Sequence, residues 1–145
     1  MFYSYEEFVV DAKKMAAQIK SEFSPDVILA VARGGLTLGH ALAVALDNRN
    51  LFTLNSIHYD DTKKLDTIEV FNIPDLGKFK KILLVDDMVD SGESMIEVKR
   101  RLLEAYPELQ IKLATVFYKQ KALILPDYKV KEASEWVEFF WDIHI

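Results

Sequence analysis

Apolar residues recur at spacings of three, four and seven between Glu6 and Phe23. Phe8, Ala12, Met15, Ala16, Ile19 and Phe23 share one side of a period of about 3.6 residues, which predicts an amphipathic helix. Ser24-Pro25 ends it, because the residue before a proline is pushed out of the helical region. The pattern then changes. "DVILAVA" (26–32) is a short unbroken apolar run rich in Val and Ile, as in a strand buried on both faces. Arg33-Gly34-Gly35 makes a turn, "LTLGHALAVAL" (36–46) predicts a second helix, and Asp47-Asn48-Arg49-Asn50 closes it. "LFTLNSIHY" (51–59) predicts a strand. Residues 60–78 are mostly charged, with one apolar patch around Ile68 to Ile73. They predict a long mobile excursion with room for a small hairpin. "KILLV" (81–85) is a second buried strand, Gly92 to Tyr106 a helix stopped by Pro107, and "IKLATVFY" (111–118) a further strand. Two short pieces, "ALIL" and "DYKV", precede the aromatic C-terminus "EWVEFFWDIHI". The order strand–helix–strand–strand–helix–strand implies an α/β fold with a mostly parallel sheet flanked by helices on both faces.

Composition narrows the classes. A chain of 145 residues suits one domain, and with half its residues hydrophobic and 12% aromatic it can form a substantial core. There is no cysteine, which excludes disulfides, thiolate metal sites and a cysteine nucleophile. No apolar run approaches the roughly 18 residues of a membrane span, and "MFYSYEEF" lacks the layout of a secretion signal. A cytoplasmic protein with no membrane attachment is the expectation. The net charge of −5 argues against a surface that coats nucleic acid. A small anionic ligand would need local donors or a metal.

Chemistry concentrates at two strand ends, where open α/β sheets bind ligands. Ser91-Gly92-Glu93-Ser94 falls between a buried strand and a helix. Unpaired N–H groups and the positive end of the helix dipole favour an anion there, and Gly92 lets the backbone approach closely. An ordinary serine N-cap is the plainer reading. Asp86, Asp87 and Asp90, attached at fixed spacing, weigh against it. Adjacent carboxylates at the end of a buried strand suit ligand hydroxyls or a hard cation such as Mg2+ better than they suit a solvated turn. A P-loop nucleoside triphosphatase would need G-x-x-x-x-G-K-[ST], but Gly34-Gly35…Gly39 is followed by His40, and G-x-G-x-x-G is also absent. A response regulator would carry its acids after the first strand.

"KILLVDDMVDSGES" (81–94) resembles the signature of the type I phosphoribosyltransferases: four apolar residues, two acids, two apolar residues, then a Ser-Gly-x-Ser phosphate loop led by an acid. "VARGG" resembles the pyrophosphate loop of that family, and "NSIHYDD" the start of its flexible catalytic loop. "VFYK" (116–119) and "SEWVEFFWD" (134–142) resemble the purine site of its bacterial xanthine-guanine-hypoxanthine (6-oxopurine) branch. The likeness runs from about residue 26 to 142. The loop after Tyr59 departs from it, being divergent and shorter than in many relatives.

The resemblance implies the type I phosphoribosyltransferase fold over a single domain, 1–145. Its core would span about 1–119, and a small C-terminal purine-binding hood about 120–145. It implies that Ser91, Gly92, Glu93 and Ser94, led by Val89, hold the 5′-phosphate. Asp86 and Asp87 would hold the ribose hydroxyls, directly or through Mg2+. Asp90 would act as general base near purine N7, and Arg33 and Gly34 would meet the pyrophosphate. Ala32–Arg33 becomes the candidate for the cis peptide of that loop. Lys119 would donate to O6 of a 6-oxopurine, a preference adenine's amino group cannot meet. Trp136 would stack on the base, Val137 would offer backbone groups to its edge, and Asp142 would join Asp87 at metal. Phe139, Phe140, Trp141 and Tyr128 stand as core or subunit-contact candidates. His58 reads as structural, and His40 and His144 carry no chemistry. The implied activity is purine salvage: guanine, xanthine or hypoxanthine plus phosphoribosyl pyrophosphate giving GMP, XMP or IMP, in a homodimer or homotetramer. The alternative is a regulator on the same fold that binds phosphoribosyl pyrophosphate or nucleotides. Such a regulator usually needs a basic RNA-binding face or an added DNA-binding domain, and this chain is short and acidic.

Overall fold

A computed structural model describes residues 1–59 and 67–145. The elements, in chain order, are β1 (Phe2–Tyr3), α1 (Tyr5–Glu22), β2 (Val27–Ala32), α2 (Leu36–Ala45), β3 (Leu51–Tyr59), β4 (Thr67–Phe71), β5 (Lys81–Val85), β6 (Met88–Val89), α3 (Glu93–Ala105), β7 (Gln110–Ala114), β8 (Phe117–Tyr118), β9 (Lys131–Glu132) and β10 (Glu138–Phe139). Helix α1 opens on a capping box. Ser4 Oγ accepts from the Glu7 N–H at 3.1 Å, and Glu7 returns a carboxylate oxygen to the Ser4 N–H at 2.9 Å.

The main sheet runs β4-β3-β2-β5-β7, parallel except for β4, which returns antiparallel to β3. Side chains alternate across it. Val27, Leu29 and Val31 of β2 join Ile82 and Leu84 of β5 in a core with α3 residues Met95, Val98 and Leu102. Ile28, Leu83 and Val85 point the other way, into a core with α1 and α2. The covered, mostly parallel sheet expected from the apolar runs is therefore present. Its carboxyl edge gathers the turns after β2 and β5. Among the described residues no helix is long and apolar enough to cross a membrane.

Three features differ from the sequence reading. The stretch 111–118 is two strands in two sheets. β7 stays in the main sheet, while β8 joins a small parallel sheet ordered β6-β8-β9. The break falls at Thr115, which is fully buried and donates its hydroxyl to Phe117 O at 2.7 Å. The N–H groups of Val116 and Phe117 both donate to Asp87 O at 3.1 Å, which draws the chain beside β6. Next, part of the charged stretch 60–78 is the regular strand β4, completing a hairpin with β3. The expected mobile excursion falls partly on residues 60–66, which lie outside the described residues. Finally, β1 pairs in parallel with β10 and ties the two ends of the chain together, a contact with no local signal.

Candidate active site

The loop after β5 shapes the site. Gly92 is the N-cap of α3 with φ of +90°, a left-handed conformation that glycine adopts without a Cβ penalty. No side chain caps the helix from that position, so N–H groups of its first turn beyond Glu93 have no helical partner. Ser91 Oγ accepts from the Glu93 N–H at 3.2 Å and folds the turn. From the far side, the Leu123 N–H donates to Ser91 O at 2.8 Å, and a Cβ at Gly92 would stand only 3.0 Å from Ile124. The result is a cleft of about 160 Å³ walled by Asp86, Met88 to Gly92, Ser94, Met95 and His58. Serine hydroxyls, outward amides and the helix dipole make it an anion cradle.

The acids sit at one side of this cradle. The Asp87 N–H donates to Asp86 Oδ1 at 2.8 Å. Burial, then the charge of Asp87, pushes the Asp86 carboxyl well above the usual carboxylate range. Asp87 is also raised, first by burial, with the charge of Asp142 adding to it. The turn after β2 presses onto this pair. The Ala32–Arg33 peptide is cis, as the resemblance implied. A Cβ on Gly34 would lie 2.5 Å from Asp87 Oδ2, so only glycine lets the two loops meet without displacement.

Pairing of β6 with β8 sets Val89 beside Tyr118 and brings the next residues together. The Lys119 N–H donates to Val89 O at 3.0 Å, and Lys119 Nζ lies 2.7 Å from Asp90 Oδ1. Downstream, Trp136 is 84% exposed beside buried Val137. Asp142 Oδ2 accepts from the Phe139 N–H at 3.0 Å. Arg33, Gly34, Asp87, Glu93, Lys119, Trp136, Val137 and Asp142 stand outside the walls of the cleft.

His58, read as structural, is in the cleft wall, with Nε2 4.0 Å from Glu93 Oε2. The signal was available. Leu54, Ser56 and His58 share one face of β3 by alternation, and Leu54 packs in the same core as Met95 at the start of α3. A strand face that runs onto the N-terminal turn of a helix delivers its last polar residue to that turn.

An anion cradle beside an acidic strand end, both at the carboxyl edge of a parallel sheet, places the site where α/β proteins of this class bind their ligands. A family model described as the phosphoribosyl transferase domain matches residues 1–145, and the chain belongs to this family. It is 28% identical over 147 residues to the xanthine-guanine phosphoribosyltransferase of Idiomarina loihiensis, covering 99% of this chain and 88% of that protein. It is 35% identical over 119 residues to the Vibrio parahaemolyticus protein of the same name, covering 81% of this chain and 73% of that one. Among solved structures, the Helicobacter pylori xanthine-guanine-hypoxanthine phosphoribosyltransferase superimposes with a TM-score of 0.91 at 35% identity, covering 98% of this chain and 93% of that chain.

Proposed function

We propose that this protein is a purine salvage phosphoribosyltransferase that joins N9 of guanine, xanthine or hypoxanthine to C1 of phosphoribosyl pyrophosphate and expels pyrophosphate. The observation that carries the reading is the Lys119–Asp90 pair, 2.7 Å apart at the rim of the phosphate cradle. A 6-oxopurine offers an acceptor at O6 and a ring proton to lose, and the pair offers a donor for the first and a base for the second.

Each role follows from charge. Ser91 to Ser94, with Val89, hold the 5′-phosphate through outward N–H groups and hydroxyls. Asp86 and Asp87 accept from the ribose hydroxyls. Arg33 and the Gly34 backbone neutralise the departing pyrophosphate, where negative charge develops. Asp90 accepts the proton that leaves the purine, standing near N7, and Lys119 donates to O6. Trp136 stacks on the base, and Val137 lends backbone groups to its edge. The transition state has oxocarbenium character at the anomeric carbon.

The donor set fits Mg2+. Burial holds the protons of Asp86 and Asp87 above their usual range, a cost that a hard cation relieves. Such a cation takes carboxylate oxygen together with water and substrate oxygens. Asp87 would hold it, with Asp142 as a second carboxylate. When bound, it would supply positive charge to the leaving group.

On this reading residues 1–145 are one catalytic domain, with a core of about 1–119 and a purine-binding hood of about 120–145. It works in the cytoplasm, without nucleic acid or membrane, as a homodimer or homotetramer. The test is incubation with labelled phosphoribosyl pyrophosphate, Mg2+ and each of guanine, xanthine, hypoxanthine and adenine. Labelled nucleotide is expected with the 6-oxopurines and far less with adenine. No product with any 6-oxopurine rejects the reading.

A further inference from the structure

Four charged or titratable groups that this chemistry does not use meet away from the cradle. Tyr3 is buried to 1% exposure and donates its hydroxyl to Asp11 Oδ2 at 2.7 Å. Asp11 is itself only 6% exposed on α1. Lys131 Nζ of β9 lies 3.4 Å from both Asp11 Oδ2 and Glu7 Oε1, and 5.1 Å from the centre of the Tyr3 ring. Two carboxylates, one ammonium and one phenol thus form a partly buried knot between the first helix and the distal end of the chain.

What the knot grips is specific. The backbone of β1 pairs with β10: the Glu138 N–H donates to Met1 O at 2.8 Å, and the Phe140 N–H to Tyr3 O at 3.0 Å. The Tyr3 ring stands edge-on to Phe117 at 5.2 Å and to Phe139 at 6.0 Å. Phe117 is two residues before Lys119, Lys131 is five before Trp136, and Phe139 is two after Val137. The knot therefore holds both flanks of the turn that carries Trp136 and Val137, and the strand β8 that leads into Lys119. Trp136 is 84% exposed, so its placement depends on those flanks.

We propose that Tyr3, with Asp11 and Lys131, is the positioning device of the purine subsite, setting the 133–139 turn at a fixed distance from Lys119. This rests on the reading of that turn as the place where the base binds. Tyr3 touches no reacting atom. It acts through Phe117 and β10, and its loss changes how well a base fits without changing how phosphoribosyl pyrophosphate is held.

The experiment is steady-state kinetics of Tyr3→Phe, Asp11→Asn and Lys131→Met on the full chain, with KM for guanine and for phosphoribosyl pyrophosphate measured separately. Tyr3→Phe keeps the ring and removes one buried hydrogen bond to a charged group, so KM for guanine should rise by about tenfold. KM for phosphoribosyl pyrophosphate should stay within about twofold of wild type, since no contact in the cradle changes. Lys131→Met, at a half-exposed site that folds more safely, should raise the guanine KM in the same direction. Equal increases in both KM values, or a lowered Tm with both KM values unchanged, would mean that the knot is merely structural and would overturn the proposal. Wild-type protein inactive on every 6-oxopurine would instead sink the underlying reading, which keeps the two failures apart.

Discussion

Asp90 Oδ1 and Lys119 Nζ lie 2.7 Å apart, with side chains 68% and 47% exposed. An exposed ion pair of this kind contributes only ~0–1 kcal/mol, so a substrate can displace it at little cost. The pair thus keeps both groups oriented between turnovers without locking them. Asp90→Asn removes the proposed base and should lower kcat by about 10²–10⁴-fold, with far less effect on GMP affinity. Lys119→Ala should instead raise KM for guanine, xanthine and hypoxanthine together, by roughly tenfold, the range of a lost charged hydrogen bond. Rate assays on the two single variants and the double variant decide the matter. An unchanged kcat in Asp90→Asn removes Asp90 as the base, and unchanged KM values in Lys119→Ala remove the O6 contact.

Gly92 joins the cradle to its brace. Its φ of +90° is strained for any residue with a Cβ, and that Cβ would lie 3.0 Å from Ile124 and 3.1 Å from the Leu123 nitrogen. Gly92→Ala should cost about 1–3 kcal/mol, read as a lower Tm. It should also raise KM for phosphoribosyl pyrophosphate more than KM for the base if, as proposed, the turn presents amides to the phosphate. A variant with wild-type KM for phosphoribosyl pyrophosphate would show that the loop binds no phosphate.

The acidic strand end stores a stability cost. Burial holds Asp86 above its ordinary 3.8, so the native state binds that proton more tightly than the unfolded chain does. The resulting stabilisation is complete below the unfolded value and is lost as pH rises through the native one. In metal-free buffer at about pH 7, well above the unfolded value, the buried Asp86 carboxyl destabilises the protein, and Asp86→Asn should raise Tm there while lowering activity. The gain should shrink as pH falls below the ordinary 3.8, where wild-type Asp86 becomes protonated in both states. Thermal melts across that range are the check. An Asn variant less stable than wild type at neutral pH contradicts this account.

What could be read from the chain divides by range. The apolar runs of β2 and β5 and the periodicity of α1 are local, and so is the 86–94 loop, whose acids, glycine and serines are contiguous. The break at Thr115 was not readable, because Val116 and Phe117 continue an apolar run and the bend comes from Asp87's carbonyl recruiting two N–H groups. The β1–β10 pairing joins residues at opposite ends of the chain through two residues on each side, too few to leave a pattern. Lys119 was visible only through family likeness, since its partner Asp90 follows another strand of the small sheet, β6. His58 was read as structural with its ring weighed alone, and its alternation with Leu54 is what points it at α3 and the cleft wall.

Trp136 provides the sharpest separation of binding from folding. At 84% exposure it contributes little to the core, and its substitution should change stability by no more than about 0.5 kcal/mol. A large apolar ring left in water is a cost that a flat ligand can recover, at about 25 cal/mol per Å² covered. Stacking of a base on an aromatic side chain contributes roughly 1–3 kcal/mol. Trp136→Ala should therefore leave Tm unchanged and raise KM for guanine by about 5–150-fold, the same energy expressed as a ratio. Trp136→Phe, which keeps a smaller stacking face, should fall between them. KM for phosphoribosyl pyrophosphate serves as the internal control and should not move. If Trp136→Ala binds guanine as wild type does, the base lies elsewhere, and the 133–139 turn loses its claim to the purine.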